Sequence, residues 1–394
     1  MKKSIKGVLL CTVAVYAQSD IDNLETKLKE QQIVIDKMQR EIEKIKKSDN
    51  LSSSLSQKEF LPDISFIINS SALYRDVKNS DYYNYYIPGF FNAGDAEIPF
   101  NKERGFNLNY VETSLFSTVG PYFDASVYFH IKPDAFEIGE AYVTTRALPN
   151  SLRIKAGKFK SDFGRINSKH HHSWNFDTVP LVYDAMLGIE GLNEPGIQLQ
   201  WIAPTDDYLM TGIEALQGNN ERSFGYTEQN SLYVGYVKAG CDISDTTALF
   251  GASVAYGKNG ADGKTTLYGL ELTTNSYLDA YSSITWQNEL LYRSYEEGTE
   301  TVKQSGFYSE VVYKASREYA FGLRYGALFK NRDIGPDDLD RVTVMAEYKP
   351  FEMSRLRLEF SHDRSKIIDG TRESINEVIL SLNIAAGVHP AHEF

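Results

Sequence analysis

The chain has 394 residues, room for two or three ordinary soluble domains. Its formal net charge of −12 makes it a poor binder of nucleic acid. Aromatics reach 13%, with 26 Tyr and 21 Phe, and mean hydropathy is −0.37. That tyrosine-rich balance suits a sheet with one apolar face and one wet face.

Residues 1–17 read as a signal peptide. Lys2, Lys3 and Lys6 form a positive n-region, residues 8–16 an apolar run, and Val15-Tyr16-Ala17 a cleavage site. The run is too short to span a bilayer as a helix. No other stretch approaches 18 continuous apolar residues, so no transmembrane helix is expected. Cleavage removes three lysines and no acids, which moves the charge to −15 and leaves Cys241 as the single cysteine. No intrachain disulfide is then expected.

Residues 18–48 carry Ile21, Leu24, Leu28, Gln31, Ile35, Met38, Ile42 and Ile45 at alternating spacings of three and four. This is an a/d seam and predicts a coiled coil, whose Ile-rich a positions lean towards a trimer. Residues 49–60, polar and Ser-rich, read as a linker.

From residue 61 to 394 the period changes to two. Sixteen strands are expected, near 62–76, 105–118, 121–132, 136–147, 151–160, 195–203, 208–217, 231–240, 247–257, 265–274, 281–295, 304–315, 318–330, 341–350, 354–364 and 374–387. In one of them Leu356, Leu358 and Phe360 oppose Arg355, Arg357, Glu359 and Ser361. Short turns (120–121, 148–150, 204–207, 316–318) roughly alternate with longer ones (77–104, 161–194, 218–230, 296–303, 331–340, 365–373). An up-and-down barrel with one short-turn rim does this.

Strands of about 9–11 residues match a tilted bilayer span. Polar faces bearing Arg, Glu, Gln and Asp together are a costly filling for a dry core. The expected fold is therefore an all-β transmembrane barrel of about 16 antiparallel strands, with lipid outside and a watery lumen. The last amphipathic strand and the terminal Phe394 resemble an outer-membrane assembly signal, although Pro390 interrupts the end.

The run from Glu140-Ala-Tyr-Val143 through Leu152-Arg-Ile-Lys-Ala-Gly-Lys-Phe-Lys160 to Asp162-Phe-Gly164 resembles the phosphate-selective porin O and P family. That resemblance implies a sixteen-stranded trimeric porin with an in-folded third loop. The family's phosphate selectivity rests on a ladder of lumenal Arg and Lys; the lumenal faces here are mixed in sign. The ~30-residue connection after Lys160 is the candidate constriction, since loops of that length are more often functional than not.

Lumenal cations are expected at Arg153, Lys155, Arg293, Arg324, Arg355 and Arg357, and anions at Asp124, Glu271, Glu289, Glu347 and Glu359. Rows of charge of this kind select ions; the plainer reading is a solvated wall with no selectivity beyond size. Lys158, Lys160, Asp162 and Arg165 are expected at the constriction. His170, His171 and His172 offer imidazoles that suit zinc or copper, together with His389 and His392. Adjacent residues on an extended chain diverge, however, and the plainer reading is a polar loop.

No Gly-x-Ser-x-Gly or His-Glu-x-x-His occurs, so no catalytic residue and no cofactor is expected. His130 is expected on the lumenal face and His362 on the outer one. The leading expectation is a homotrimeric porin in a Gram-negative outer membrane, passing small hydrophilic or ionic solutes, with its N-terminal helix in the periplasm. The alternatives are an anchor whose coiled coil contacts the cell wall or a partner, and a metal-related uptake channel.

Overall fold

The computed structural model describes residues 62–225, 228–329 and 339–387, together with Lys29 and Gln32. The expected signal peptide (1–17), the coiled coil (18–48, those two residues apart) and the linker (49–60) lie outside the described residues, as do His389 and His392.

From Pro62 onward the chain is one compact unit. It runs through β1 (Asp63–Arg75), β2 (Gly105–Val119), β3 (Phe123–Ile131), β4 (Phe136–Thr145), β5 (Leu152–Lys160) and β6 (Asn193–Ile202). Next come β7 (Tyr208–Leu216), β8 (Leu232–Ile243), β9 (Thr246–Lys258), β10 (Lys264–Tyr277), β11 (Ser283–Glu297) and β12 (Glu300–Lys314). Then follow β13 (Tyr319–Leu328), β14 (Leu339–Tyr348), β15 (Ser354–Asp363), a small hairpin of β16 (Ile367–Ile368) and β17 (Thr371–Arg372), and β18 (Ile375–Gly387). Each of β1–β15 pairs antiparallel with its sequence neighbours, β18 pairs with β15, and β1 closes the ring on β18 from Ser65↔Gly387 to Arg75↔Glu377. Closure leaves no unpaired edge among these sixteen strands.

The barrel is inside-out relative to a soluble protein. Along β15, Leu356, Leu358 and Phe360 are 37%, 49% and 42% exposed, whereas Arg355, Arg357 and Glu359 are 4%, 1% and 0% exposed. β13 repeats the pattern, with Tyr319, Phe321, Leu323 and Tyr325 outward and Arg324 inward. Water penalises such an outer surface and hydrocarbon does not, so period-two alternation places lipid outside.

Two expectations about connections change. The connection near 296–303 is a two-residue turn, because Glu297 pairs with Glu300 and Gly298 takes a positive φ of 60°. The long connection spans 161–192, because Asn193 and Glu194 already pair with Lys160 and Phe159.

A larger change concerns the lumen. It holds an apolar core rather than open water along its whole length. Phe163, Ile166, Trp174, Val179 and the helix Leu181–Met186 of the 161–192 connection cluster with Tyr85, Ile87, Phe90 and Phe91 of the β1–β2 connection and Phe224 of the β7–β8 connection. The sequence pattern of a wet lumenal face holds for the wall, but the loops that fold into it carry their own apolar side chains.

Candidate functional site

The in-folded connection begins at two glycines. Gly157 has φ +134°, and a Cβ there would stand 2.2 Å from the Ala141 carbonyl oxygen on β4. Gly164 has φ +64°, and a Cβ there would meet the Glu289 carboxylate and the Tyr183 hydroxyl, both at 2.4 Å. Only glycine fits either place. Phe159 and Phe163, between them, are fully buried. The Ala-Gly-Lys-Phe-Lys…Asp-Phe-Gly motif is thus the hinge that turns the chain from the wall into the lumen.

Polar residues of the wall then hold the loop from many sides. On β7, Glu214 accepts from Ser161 Oγ and from the Asp162 amide (2.5 and 3.0 Å). Lys238 of β8 donates to the Gly164 carbonyl at 2.6 Å. Glu289 of β11 accepts from the amides of Arg165 (2.8 Å) and Ile166 (3.0 Å) and from the hydroxyls of Tyr183 (2.7 Å) and Tyr308 (2.6 Å). Across the lumen, Glu359 of β15 accepts from the Asp177 amide at 2.7 Å and from Thr178. Arg355 and Arg357 donate to the carbonyls of His172 and Trp174, and Arg341 to that of Val179. Ser381 of β18 donates to Asp177.

The residues picked from sequence therefore sort by use. Glu289, Arg324, Arg355, Arg357 and Glu359 are buried loop anchors, with Arg324 donating to Thr178 at 2.5 Å. Glu347 neutralises Arg357 at 2.8 Å and Lys349 at 3.2 Å. Arg293 holds the β7–β8 connection through the Arg222 carbonyl (2.7 Å) and Ser223. Asp162 accepts from Gln198 at 2.7 Å, and the Arg165 amide is held by Glu289. Glu271 pairs with Lys238 at 3.4 Å, and Asp124 lies 3.6 Å from Arg146.

Lys155 lies over the rings of Tyr142 and Phe159, Lys160 Nζ donates to the Glu190 carbonyl (3.3 Å), and Arg153 is exposed. Lys158 pairs across to outward-facing Ala141, and its ammonium donates to the Ile138 carbonyl at 2.6 Å. Lys158 also lines the recess described below, together with Gly139 and Glu190.

The three histidines separate by alternation around the 3-10 turn His171–Ser173. His171 turns one way, bonded to Tyr110 (3.0 Å) and to the Asp177 carbonyl (2.9 Å) and stacked on Phe100 at 4.0 Å. Burial lowers its pKa to about 4, which keeps it neutral. His170 and His172 turn the other way, towards Glu112 of β2. His170 Nδ1 is 3.1 Å and His172 Nδ1 3.6 Å from Glu112 Oε2, and His130 Nε2 of β3 is 3.1 Å from the same oxygen. The opposite nitrogen of His170 meets Glu140 Oε1 of β4 at 2.6 Å. Burial opposes charge on His170, but the two carboxylates outweigh it and raise its pKa to about 10; burial holds that of His172 below its ordinary value. Glu112 and Glu140 escaped sequence reasoning. The available signal was parity, since Glu112 pairs directly with His130 across β2 and β3.

Beside this cluster a recess opens among Glu97, Glu137, Glu190, Glu194 and Glu221, with Lys158 and His130 also on its wall. His130 and Glu190 line both the recess and the histidine pocket.

No protein-family model matches the chain. Its fold is similar to that of the outer membrane channel DcaP of Acinetobacter baumannii, with TM-score 0.55 and 13% identity over 82% of this chain and 97% of that one. It is equally similar to an anion-selective porin from Comamonas acidovorans, with TM-score 0.55 and 11% identity over 82% and 99%. OmpT, an outer membrane protein of Vibrio cholerae, also aligns at TM-score 0.55, with 9% identity over 82% and 97%. At these identities the likeness shows a porin-type barrel fold. In sequence, an Aquifex aeolicus (strain VF5) protein described as "Uncharacterized protein" is 39% identical over 386 residues, 87% of this chain and 82% of that protein. The chain belongs to the family of that Aquifex aeolicus protein.

Proposed function

We propose that this protein is an outer-membrane channel for passive diffusion of small hydrophilic or ionic solutes, with the 161–192 loop setting how much of the lumen is open. The observation that carries the reading is the placement of that loop, which is hydrogen-bonded to Glu214 of β7 and to Glu359 of β15, strands eight apart in the sixteen-strand ring. An anchor protein needs no such device, because its barrel could be filled by side chains of any kind. The three structural neighbours, named as a channel, a porin and an outer membrane protein, support the same reading.

The resemblance of the Glu140–Gly164 stretch to phosphate-selective porins supports the 161–192 loop as the constriction. Selectivity for anions is a separate matter of charge. The wall cations Arg324, Arg355 and Arg357 are engaged by the loop and by Glu347, whereas the recess is lined by five carboxylates against one lysine, Lys158, and one histidine, His130. A preference for cations at that mouth follows. Trimer assembly, with the heptads of 18–48 in the periplasm as its zipper, belongs to the same proposal.

The test is a planar-bilayer recording of the purified full chain, followed by a reversal potential in a salt gradient. Discrete steps with a cation-selective potential support the reading. Electrical silence, with a folded barrel, favours the anchor.

A further inference from the structure

We propose that Glu112, His170 and His172 bind one divalent transition-metal cation of the zinc class, with His130 beside the fourth position, and that this ion fastens the loop to the wall. The inference stands apart from the channel reading, because it concerns binding and not flow.

Spacing carries it. Four ligands at 2.0–2.2 Å around a tetrahedral zinc stand about 3.3 Å from one another. Glu112 Oε2 lies 3.1, 3.6 and 3.1 Å from His170 Nδ1, His172 Nδ1 and His130 Nε2. The donor atoms of Glu112, His170 and His172 all fall within 4.8 Å of one another, and all three residues are buried. A carboxylate oxygen has two lone pairs. Three imidazole nitrogens converge on one such oxygen: those of His170 and His130 use both lone pairs, the third stands at 3.6 Å, and a shared cation would engage the His172 nitrogen as well.

The surroundings fit as well. A ligating histidine characteristically gives its other ring N–H to a carboxylate, which fixes the tautomer. His170 turns Nδ1 to the cluster and has Glu140 Oε1 at its Nε2 (2.6 Å). The donor set, two or three imidazoles and one carboxylate, is that of zinc chemistry and not of calcium or magnesium. An entry path exists, since the carboxylate-rich recess shares His130 and Glu190 with the pocket. Two ligands lie on the loop and one on β2, so the ion crosslinks them on the side opposite the Glu289 anchor.

The test uses tag-free full chain in detergent, stripped with chelator. Zinc is then added, unbound metal is removed by dialysis, and retained metal is measured by mass spectrometry. One zinc per chain is expected. X-ray absorption of the wild-type zinc form is expected to show imidazole nitrogen and carboxylate oxygen at about 2.0–2.2 Å. Glu112→Gln and His172→Gln are expected to lose more affinity than Glu140→Gln, an outer-shell change costing about 10–100-fold. His171→Ala, and a double variant carrying His389→Ala and His392→Ala, are expected to bind as wild type. A heat-modifiable gel shift reports that each variant barrel is folded. No retained zinc in the wild type, an all-oxygen six-coordinate shell, or binding unchanged in the folded Glu112→Gln and His172→Gln variants would each overturn the proposal.

Discussion

The Tyr183 hydroxyl donates to Glu289 Oε2 at 2.7 Å, joining the helix of the in-folded loop to wall strand β11. Both residues are at least 98% buried. The same carboxylate also receives two loop amides and Tyr308, so four donors depend on one side chain.

Glu289→Ala should therefore release the start of the loop. Orphaning buried donors costs about 1–3 kcal/mol each, less whatever water recovers. The expected result is faster protease cutting between 161 and 192 and larger or noisier conductance, with the barrel still folded. Tyr183→Phe should do the same more weakly, and the double variant should fall short of the sum because the two share a bond. Strict additivity would count against the coupling.

Arg357 tests a second anchor, on β15, four strands from β11 in the ring. It donates to the Trp174 carbonyl at 3.0 Å and to Glu347 at 2.8 Å, and lies 3.5 Å from Asp177. Its removal takes one cation from two buried carboxylates, Glu347, which keeps Lys349, and Asp177, which keeps Ser381; breaking a buried pair outright costs about 3–5 kcal/mol, an upper bound here. Arg357→Ala should lower the thermal midpoint of the gel shift. Arg357→Lys should rescue only part of it, because an ammonium cannot reproduce the planar fork. Full rescue by lysine would show that charge alone matters here.

Gly164→Ala asks whether the motif is a hinge. Positive φ and two oxygens at 2.4 Å from the new Cβ leave it no space. A cost of about 1–3 kcal/mol from backbone conformation is expected before the clash is counted. Loop protection against protease should fall while barrel assembly persists. Unchanged protection would remove the hinge from the account.

The orientation of the wall has its own test. Leu358, at the middle of β15, faces outward, and Arg357 faces inward. An arginine on the lipid face near the bilayer midplane costs about 2–4 kcal/mol. Leu358→Arg should reduce the assembled fraction sharply, whereas Leu358→Phe should be tolerated. Equal assembly of both would place water outside β15.

The barrel was legible because its signal is local. Alternation such as Leu356-Arg357-Leu358-Glu359 reports the two solvents of a wall strand directly, and every expected strand has an observed counterpart. The loop was legible in place and length but not in content. Its partners, Glu214, Lys238, Glu289 and Glu359, come from strands far along the chain, and no period links them to 161–192. The lumenal charges illustrate the cost of that gap. Parity correctly turned Arg357 and Glu359 inward, but parity cannot tell a solvated wall from one that grips a loop. The histidines differ again: the divergence of adjacent residues held, and it is what separates His171 from His170 and His172.

The most direct measurement is single-channel conductance with and without the in-folded loop. Lys160 and Asn193 are the last pair of the β5–β6 register, so a two-residue Asn-Gly turn can replace residues 161–192 and close the hairpin. Conductance several-fold above that of the wild type is the result expected of a loop-set lumen. Steps of unchanged size from a correctly assembled, loop-less barrel would contradict it.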